Sequence, residues 1–325
     1  MDDHQELLPT VHAIEPVSFC CDAESPAADK PTLFVSFSGG RTSAYMVDRL
    51  LSEYSDQYHF VILFANTGQE HNETLEFVRK CDERWGGIVI WLEAVVHPEK
   101  GEGTRYRIVT YETCTRRHQI DDETPFAQVI RKYGIPGPTA KQICTRELKG
   151  APMAAYRRDW EAARSTKERK VRCLNAIGIR TDEVERRLPD DKMKKFRVVY
   201  PLLDWFPTEK SDVLDFWEAQ PFDLGIPEHY GNCVTCWKKS DAKHVKIIMV
   251  HPEFYDFFRR MEKEHPQTNN KPGHADRRFF RLSRTVDQMF QLANSSNHLP
   301  PELEDLSGGC SESCEAATED TLFEN

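Results

Sequence analysis

Three short runs in the first hundred residues are apolar almost without interruption: Leu33-Phe34-Val35-Ser36-Phe37, Phe60-Val61-Ile62-Leu63-Phe64-Ala65 and Ile88-Val89-Ile90-Trp91-Leu92. Runs of that length and content read as strands covered on both faces. Between the first two, Met46, Val47, Leu50, Leu51 and Tyr54 recur at helical spacing, and Leu75, Val78, Cys81 and Trp85 do the same between the second and third. Strand, helix, strand, helix, strand predicts an α/β fold, a parallel sheet with helices on both faces.

The pattern breaks from Gly101 to Pro138, a polar stretch with several Gly and Pro that reads as a long loop or insertion beside the sheet. A helix-like stretch covers Ala151 to Lys170, and Val171 to Ile177 reads as a fourth strand, followed by Tyr200-Pro201-Leu202-Leu203. After Trp205 the chain looks mainly helical. Residues 1–30 lack periodicity and read as a flexible arm, and an acidic tail follows residue 300. The chain thus divides into an arm at 1–30, a nucleotide-binding domain at 31–205, a helical region at 206–300 and a tail at 301–325.

Composition narrows the class. With 39% apolar and 30% charged residues over 325 positions, the chain has the make-up of a folded soluble protein. No run approaches the roughly 18 apolar residues of a membrane span, and the first twenty residues lack a signal-peptide pattern, so the expected location is the cytoplasm, with no membrane partner. Ten cysteines are too sparse for a disulfide scaffold, which leaves burial, metal ligation or catalysis. A net charge of -10 argues against a protein that coats nucleic acid. Arg and Lys nevertheless crowd Lys141 to Arg197 and Arg259 to Arg284, either as solvated helix faces or as a surface for an anionic substrate.

Ser38-Gly39-Gly40-Arg41-Thr42-Ser43 falls at the turn after the first strand, the edge where α/β sheets bind ligands and where the next helix offers free N–H groups. Two adjacent glycines let the backbone approach a phosphate, three hydroxyls surround it, and Arg41 adds a cation. The Gly-x-x-x-x-Gly-Lys spacing of a P-loop is absent, which points away from γ-phosphate transfer. A Gly-Gly turn with a Ser or Thr helix cap is the purely structural alternative.

Ser36-Phe37-Ser38-Gly39-Gly40-Arg41-Thr42-Ser43 resembles the PP-loop of the N-type ATP pyrophosphatases, in the branch that holds phosphoadenosine-phosphosulfate reductases. Three further segments resemble motifs of that branch in the expected order: Phe64-Ala65-Asn66-Thr67-Gly68-Gln69-Glu70 with Glu73-Thr74, Gly178-Ile179-Arg180 with Asp182-Glu183, and Pro201-Leu202-Leu203-Asp204-Trp205. The resemblance spans about residues 32–240. It departs from the common Ser-Gly-Gly-Lys-Asp-Ser loop at Arg41 and Thr42, and from the second-strand Asp at Asn66.

The resemblance implies that ATP adenylates an acceptor and releases pyrophosphate, or that an already activated sulfonucleotide is reduced. In that frame Arg41, Ser43 and Arg180 are the expected catalytic residues, with Arg180 and Mg²⁺ neutralising charge at the scissile bridge. Ser36, Ser38, Gly39, Gly40, Thr42, Asn66, Thr67, Gly68 and Gly178 are the expected nucleotide contacts. Outside its motif Arg180 would read as a surface ion-pair residue, and Asp182 and Glu183 as helix-start acids.

Cys233-Val234-Thr235-Cys236 is a C-x-x-C, a spacing that lets two thiolates share one metal or cluster. Related reductases with an iron–sulfur cluster carry an upstream cysteine pair, and Ile143-Cys144-Thr145-Arg146-Glu147-Leu148-Lys149 resembles that element with Ile143 in the first cysteine's place. Cys144, Cys233 and Cys236 then align as three ligands of a [4Fe–4S] cluster, with either an open iron or Cys310 or Cys314 as the fourth. A Zn²⁺ site from His229, Cys233, Cys236 and His244 is the alternative, and free thiols a third. Cys20, Cys21, Cys81, Cys114 and Cys173 read as ordinary or buried cysteines.

The leading expectation is sulfur-linked modification of a nucleic acid or small acceptor by a PP-loop enzyme. The expected partners are an adenosine nucleotide, a nucleic-acid acceptor, a sulfur donor protein and a second copy of the chain. Sulfonucleotide reduction is one alternative, against which the missing Glu-Cys-Gly-Leu/Ile-His tail counts. The other is a non-catalytic nucleotide-binding subunit beside phage, defence or type IV CRISPR machinery, settings in which relatives of this branch occur.

Overall fold

The structure is a computed structural model that describes residues 30–99, 101–117, 123–137, 143–227, 230–231, 233–280 and 284–295. Residues 1–29, the tail, and with them Cys20, Cys21, His229, Cys310 and Cys314, lie outside the described residues.

The three apolar runs form β1 (Thr32–Phe37), β2 (His59–Asn66) and β3 (Val89–Val95), joined by α1 (Arg41–Glu53) and α2 (Asn72–Arg84). β1 pairs in parallel with β2 from Thr32↔His59 to Phe37↔Phe64, and β2 pairs in parallel with β3. The third strand is longer than its apolar run and starts one residue later, leaving Ile88 exposed.

The stretch from Gly101 to Pro138 is not a structureless loop. It holds β4 (Arg105–Val109), which runs antiparallel to β3, and α3 (Pro125–Tyr133), capped by the Thr124 hydroxyl on the Ala127 amide. The sequence concealed β4 because an edge strand buries little: Arg105, Arg107 and Ile108 are exposed, so no apolar run marks it. The sheet is therefore parallel except at this edge.

The next helical run is assembled from α4 (Ile143–Thr145), a π-helical turn (Arg146–Gly150) and α5 (Ala151–Arg164). β5 (Leu174–Ala176) is shorter than the apolar segment containing it, α6 (Asp190–Phe196) follows, and the two-residue β6 (Val198–Val199) completes the sheet. The strand order is β4-β3-β2-β1-β5-β6. Tyr200-Pro201-Leu202-Leu203 leads into the short α7 (Pro201–Asp204), where Pro occupies the first helical position.

Alternation along β1 divides the core. Leu33, Val35 and Phe37 join the larger cluster under α1 and α2, while Phe34 faces α5, its ring 5.5 Å from Trp160 and 6.5 Å from Tyr156. The region after residue 205 carries α8 (Lys210–Glu218), α9 (Asp241–Val250), α10 (Asp256–Glu264) and α11 (Val286–Ser295). It shares the larger core: Phe77 of α2 meets Trp217 of α8 at 4.9 Å, and Phe126 of α3 meets Phe258 of α10 at 5.6 Å. Gly134, at φ +82° behind α3, lets the backbone oxygen of Thr268 pass where a Cβ would lie 2.2 Å away. No helix among the described residues is long and apolar enough to cross a membrane.

Candidate active site

β1 ends at Phe37 and α1 begins at Arg41, so Ser38, Gly39 and Gly40 make the whole turn. Gly39 has φ +82°, and a Cβ there would lie 3.0–3.2 Å from Phe64, Val78 and Thr74. Thr74 stands beside the turn with a buried hydroxyl that has no hydrogen-bond partner. The first backbone bond of α1 runs from the Ala44 N–H to the Gly40 carbonyl, so the amides before it are not taken up by the helix and mark its positive end.

Ser43 Oγ donates to the Gly40 carbonyl at 3.1 Å and accepts from the Ser38 N–H at 3.1 Å. The Ser38 hydroxyl, 2.8 Å away, then donates to it. Ser43 is fully buried, so the structure places it as the brace of the loop, with its hydroxyl committed to the loop's own groups.

The two expected arginines divide their work. Arg41 Nε and Nη2 grip both oxygens of Asp223 at 2.6 and 2.8 Å, Nη2 also donates to the Leu224 carbonyl at 2.7 Å, and the Arg41 carbonyl accepts from Trp217 Nε1 at 3.0 Å. Arg41 thus ties the loop to the segment that leads into the C-x-x-C. Arg180 comes back to the loop from behind β5: Nη1 donates to Thr42 Oγ1 at 2.8 Å, and Nε and Nη2 hold Asp182 at 2.9 Å each. Those hydrogen bonds keep the Asp182 carboxyl below its ordinary pKa. Arg180 is 3% exposed, so it is no surface ion-pair residue. Gly178 is buried just before it, and Ser36 Oγ donates to Asn175 Oδ1 at 3.3 Å on the α5 side of the sheet.

The second-strand motif forms a turn held by carboxylates. Asn66 Nδ2 donates to Glu93 Oε1 at 2.6 Å and to the Thr115 carbonyl at 2.9 Å, while its Oδ1 accepts from the Gly68 N–H at 3.1 Å. Glu93, fully buried at the end of β3, also accepts from the Thr115 amide and hydroxyl and from Arg107. Glu70 Oε2 takes the Thr67 amide and hydroxyl at 2.9 and 2.8 Å, and Oε1 lies 3.9 Å from Lys149 Nζ. Glu70 and Lys149 fall inside segments that resemble family motifs but carried no role there, and Glu93 and Thr115 were not singled out; for Glu93 the available signal was an acid directly after an apolar strand run.

Cys144, Cys233 and Cys236 line one cavity with Thr67, Thr145, Lys149, Thr235, Trp237 and Lys238 and the rings of Phe126, Phe258 and Phe279. The π turn explains how Cys144 and Lys149 reach the same space. At about 100° per residue an α-helix would set residues five apart on different faces, whereas i→i+5 winding brings them into line. Main-chain pairing of Glu70 with Cys233 and a bond of 2.6 Å from Lys239 Nζ to the Cys233 carbonyl fix the C-x-x-C turn. Two residues of the wall each carry a buried donor, Thr235 Oγ1 and Trp237 Nε1, that has no hydrogen-bond partner among the described residues. An orphaned buried polar group costs about 1–3 kcal/mol, so two in one cavity point to a missing acceptor.

His244 is set elsewhere, its Nδ1 2.8 Å from the Tyr255 hydroxyl and its ring 4.6 Å from Phe280. Among the described residues no three His, Cys, Asp or Glu side chains gather as ligands of a single ion. Burial raises the thiol pKa of Cys81, and those of Cys114 and Cys173 to about 11, so these three are neutral core side chains. Part of the basic run serves a buried acid: Arg172 and Arg197, themselves partly exposed, approach Glu161 at 3.5 and 3.9 Å.

A largely parallel sheet whose first strand ends in a Ser-Gly-Gly turn against a helix N-terminus, with an arginine returning from the fourth parallel crossover, defines a PP-loop α/β protein. The chain belongs to the phosphoadenosine phosphosulfate reductase domain family, whose model matches residues 32–219. It is 35% identical over 209 residues to an uncharacterized nin region protein, ORF290, of Escherichia phage lambda, covering 64% of this chain and 67% of the relative. Among solved structures it is similar to a U34-tRNA thiolase, NcsA, from Methanococcus maripaludis with its [4Fe–4S] cluster, at 14% identity and a TM-score of 0.33 over 91% of this chain and 79% of that one.

Proposed function

We propose that the protein cleaves ATP between the α- and β-phosphates to adenylate an acceptor, a nucleic acid or a small molecule, and that sulfur then displaces AMP. The observation that carries this reading is the shared wall: Thr67, from the turn after β2, lines the same cavity as Cys144, Cys233 and Cys236. The turn after β2, which in this reading positions the nucleotide, and the thiols therefore address one space.

In this reading an acceptor oxygen attacks the α-phosphorus, the bridge to the β-phosphate breaks, and pyrophosphate leaves on the loop. Gly39, Gly40 and the amides opening α1 receive the pyrophosphate, Ser43 holds the loop in shape, and Arg180, already at Thr42, takes up charge growing at the bridge beside Mg²⁺. Asn66, Thr67 and Gly68 position the nucleotide from the neighbouring strand.

Cys144, Cys233 and Cys236 would hold a [4Fe–4S] cluster. Each cysteine of such a cluster binds a different iron, so three thiols spread around one cavity fit it better than a single zinc ion, which needs ligands gathered at a point. When bound, the cluster supplies an iron free of protein thiolate to which a sulfur species can attach.

Anaerobic purification with iron and sulfide analysis tests the thiol side. About four irons and four sulfides per chain are expected, and each of Cys144→Ser, Cys233→Ser and Cys236→Ser should lose most of them. A colourless protein holding one zinc would overturn the cluster. Pyrophosphate release from ATP tests the other side.

The capture of Arg41 by Asp223 favours a second reading, a subunit that binds nucleotide without turnover. No pyrophosphate with any acceptor would support it, and sulfite release from a sulfonucleotide with reduced thioredoxin would support a reductase instead. In either case Asp223→Ala removes the carboxylate that grips the Arg41 guanidinium and leaves the Leu224 carbonyl as a weaker hold, and ATP affinity by calorimetry should rise several-fold; an unchanged affinity would mean that Arg41 does not reach the phosphates.

A further inference from the structure

The cavity wall contributes more than thiols. Thr235, between the two cysteines of the C-x-x-C, is 1% exposed, and its hydroxyl has no partner among the described residues; the indole N–H of Trp237, one residue past Cys236, is likewise buried and unpartnered among them. Both residues line the cavity that Cys144, Cys233 and Cys236 share. Neither donor needs to be in such a position for packing: valine and phenylalanine would fill the same space.

We infer that Thr235 Oγ1 and Trp237 Nε1 are donors to the inorganic sulfides of the cluster, and that they set its reduction potential. The inference rests on the cluster reading above. Inorganic sulfides carry negative charge that grows on reduction, and hydrogen bonds to them favour the reduced state, raising the potential. The two donors sit on either side of Cys236 in sequence, so the C-x-x-C loop supplies thiolates and sulfide donors from one short segment. Its position is fixed behind by the Lys239 bond to the Cys233 carbonyl and in front by main-chain pairing with Glu70. A zinc ion offers no inorganic sulfides, and only its thiolate ligands would remain as acceptors.

The test is a spectroscopically monitored redox titration of the anaerobically purified full chain, with iron and sulfide content measured in parallel. Thr235→Val and Trp237→Phe should each keep the cluster and shift the midpoint to lower potential. At a fixed potential near the midpoint, the oxidised-to-reduced ratio should change by up to tenfold, which for a one-electron couple is about 59 mV. Thr235→Ser, which keeps the hydroxyl, should stay at the wild-type midpoint. If Thr235→Val cannot hold iron while Thr235→Ser can, the hydroxyl is required for loading and the inference stands. Wild-type midpoints in both Thr235→Val and Trp237→Phe would overturn it, leaving the cluster reading intact. A wild-type protein without iron or sulfide would end the cluster reading itself.

Discussion

Gly39→Ala is expected to abolish detectable ATP binding in calorimetry and to lower stability by about 2–6 kcal/mol. Two costs add. Positive φ at 82° is strained for any residue with a Cβ, at about 1–3 kcal/mol. The added methyl would stand 3.0 Å from Phe64, 3.1 Å from Val78 and 3.2 Å from Thr74, and overpacking a tight core costs about 1–3 kcal/mol more. Those neighbours belong to β2 and α2, so relief must come from the loop. Moving it breaks the Ser38–Ser43–Gly40 bonds that hold the helix start open, and affinity should fall by more than stability does. A variant that binds ATP as wild type does would remove the loop from the mechanism.

Glu93→Ala should be the most damaging change away from the loop, with a loss of about 3–5 kcal/mol in urea unfolding. The carboxylate is fully buried, and truncation strands the Thr115 amide and hydroxyl and takes one of the two acceptors of Asn66 Nδ2. Each orphan costs about 1–3 kcal/mol, while Arg107, half exposed, can return to water. Measured against a typical total of about 5–15 kcal/mol, the loss is large. It would be read in function as well, because Asn66 also fixes the Gly68 amide, and with it the turn that lines the cysteine cavity and is proposed to position the nucleotide. Glu93→Gln keeps one acceptor and should fall between. An unfolding midpoint equal to wild type would show that Asn66 and Thr115 find other partners.

Part of this architecture is legible in the sequence and part is not. β1, β2 and β3 announce themselves because a strand covered on both faces has to be apolar throughout, and the Ser-Gly-Gly turn is legible because its chemistry is local. β4 is not legible, since its outward residues are polar or exposed and its partner β3 comes from another part of the pattern. Arg41 was readable as a cation at a phosphate turn; its attachment to Asp223, 182 residues later, depends on how α8 and the following segment pack. Glu70 and Lys149 likewise meet only through tertiary structure. Cys144, Cys233 and Cys236 were legible as a set through resemblance, whereas the unpartnered donors between and beside them are a property of burial, which no spacing encodes.

The π turn between Cys144 and α5 acts as a phase shift. Downstream of it, Ala155, Tyr156 and Trp160 keep their stripe against the sheet; upstream, the helix is rotated so that Cys144 looks toward the C-terminal helices. Loss of one residue from Arg146–Gly150 would leave the stripe under the sheet and swing Cys144 by about 100°, out of line with Lys149. A single extra residue thus lets one helix serve two surfaces that regular winding could not satisfy together.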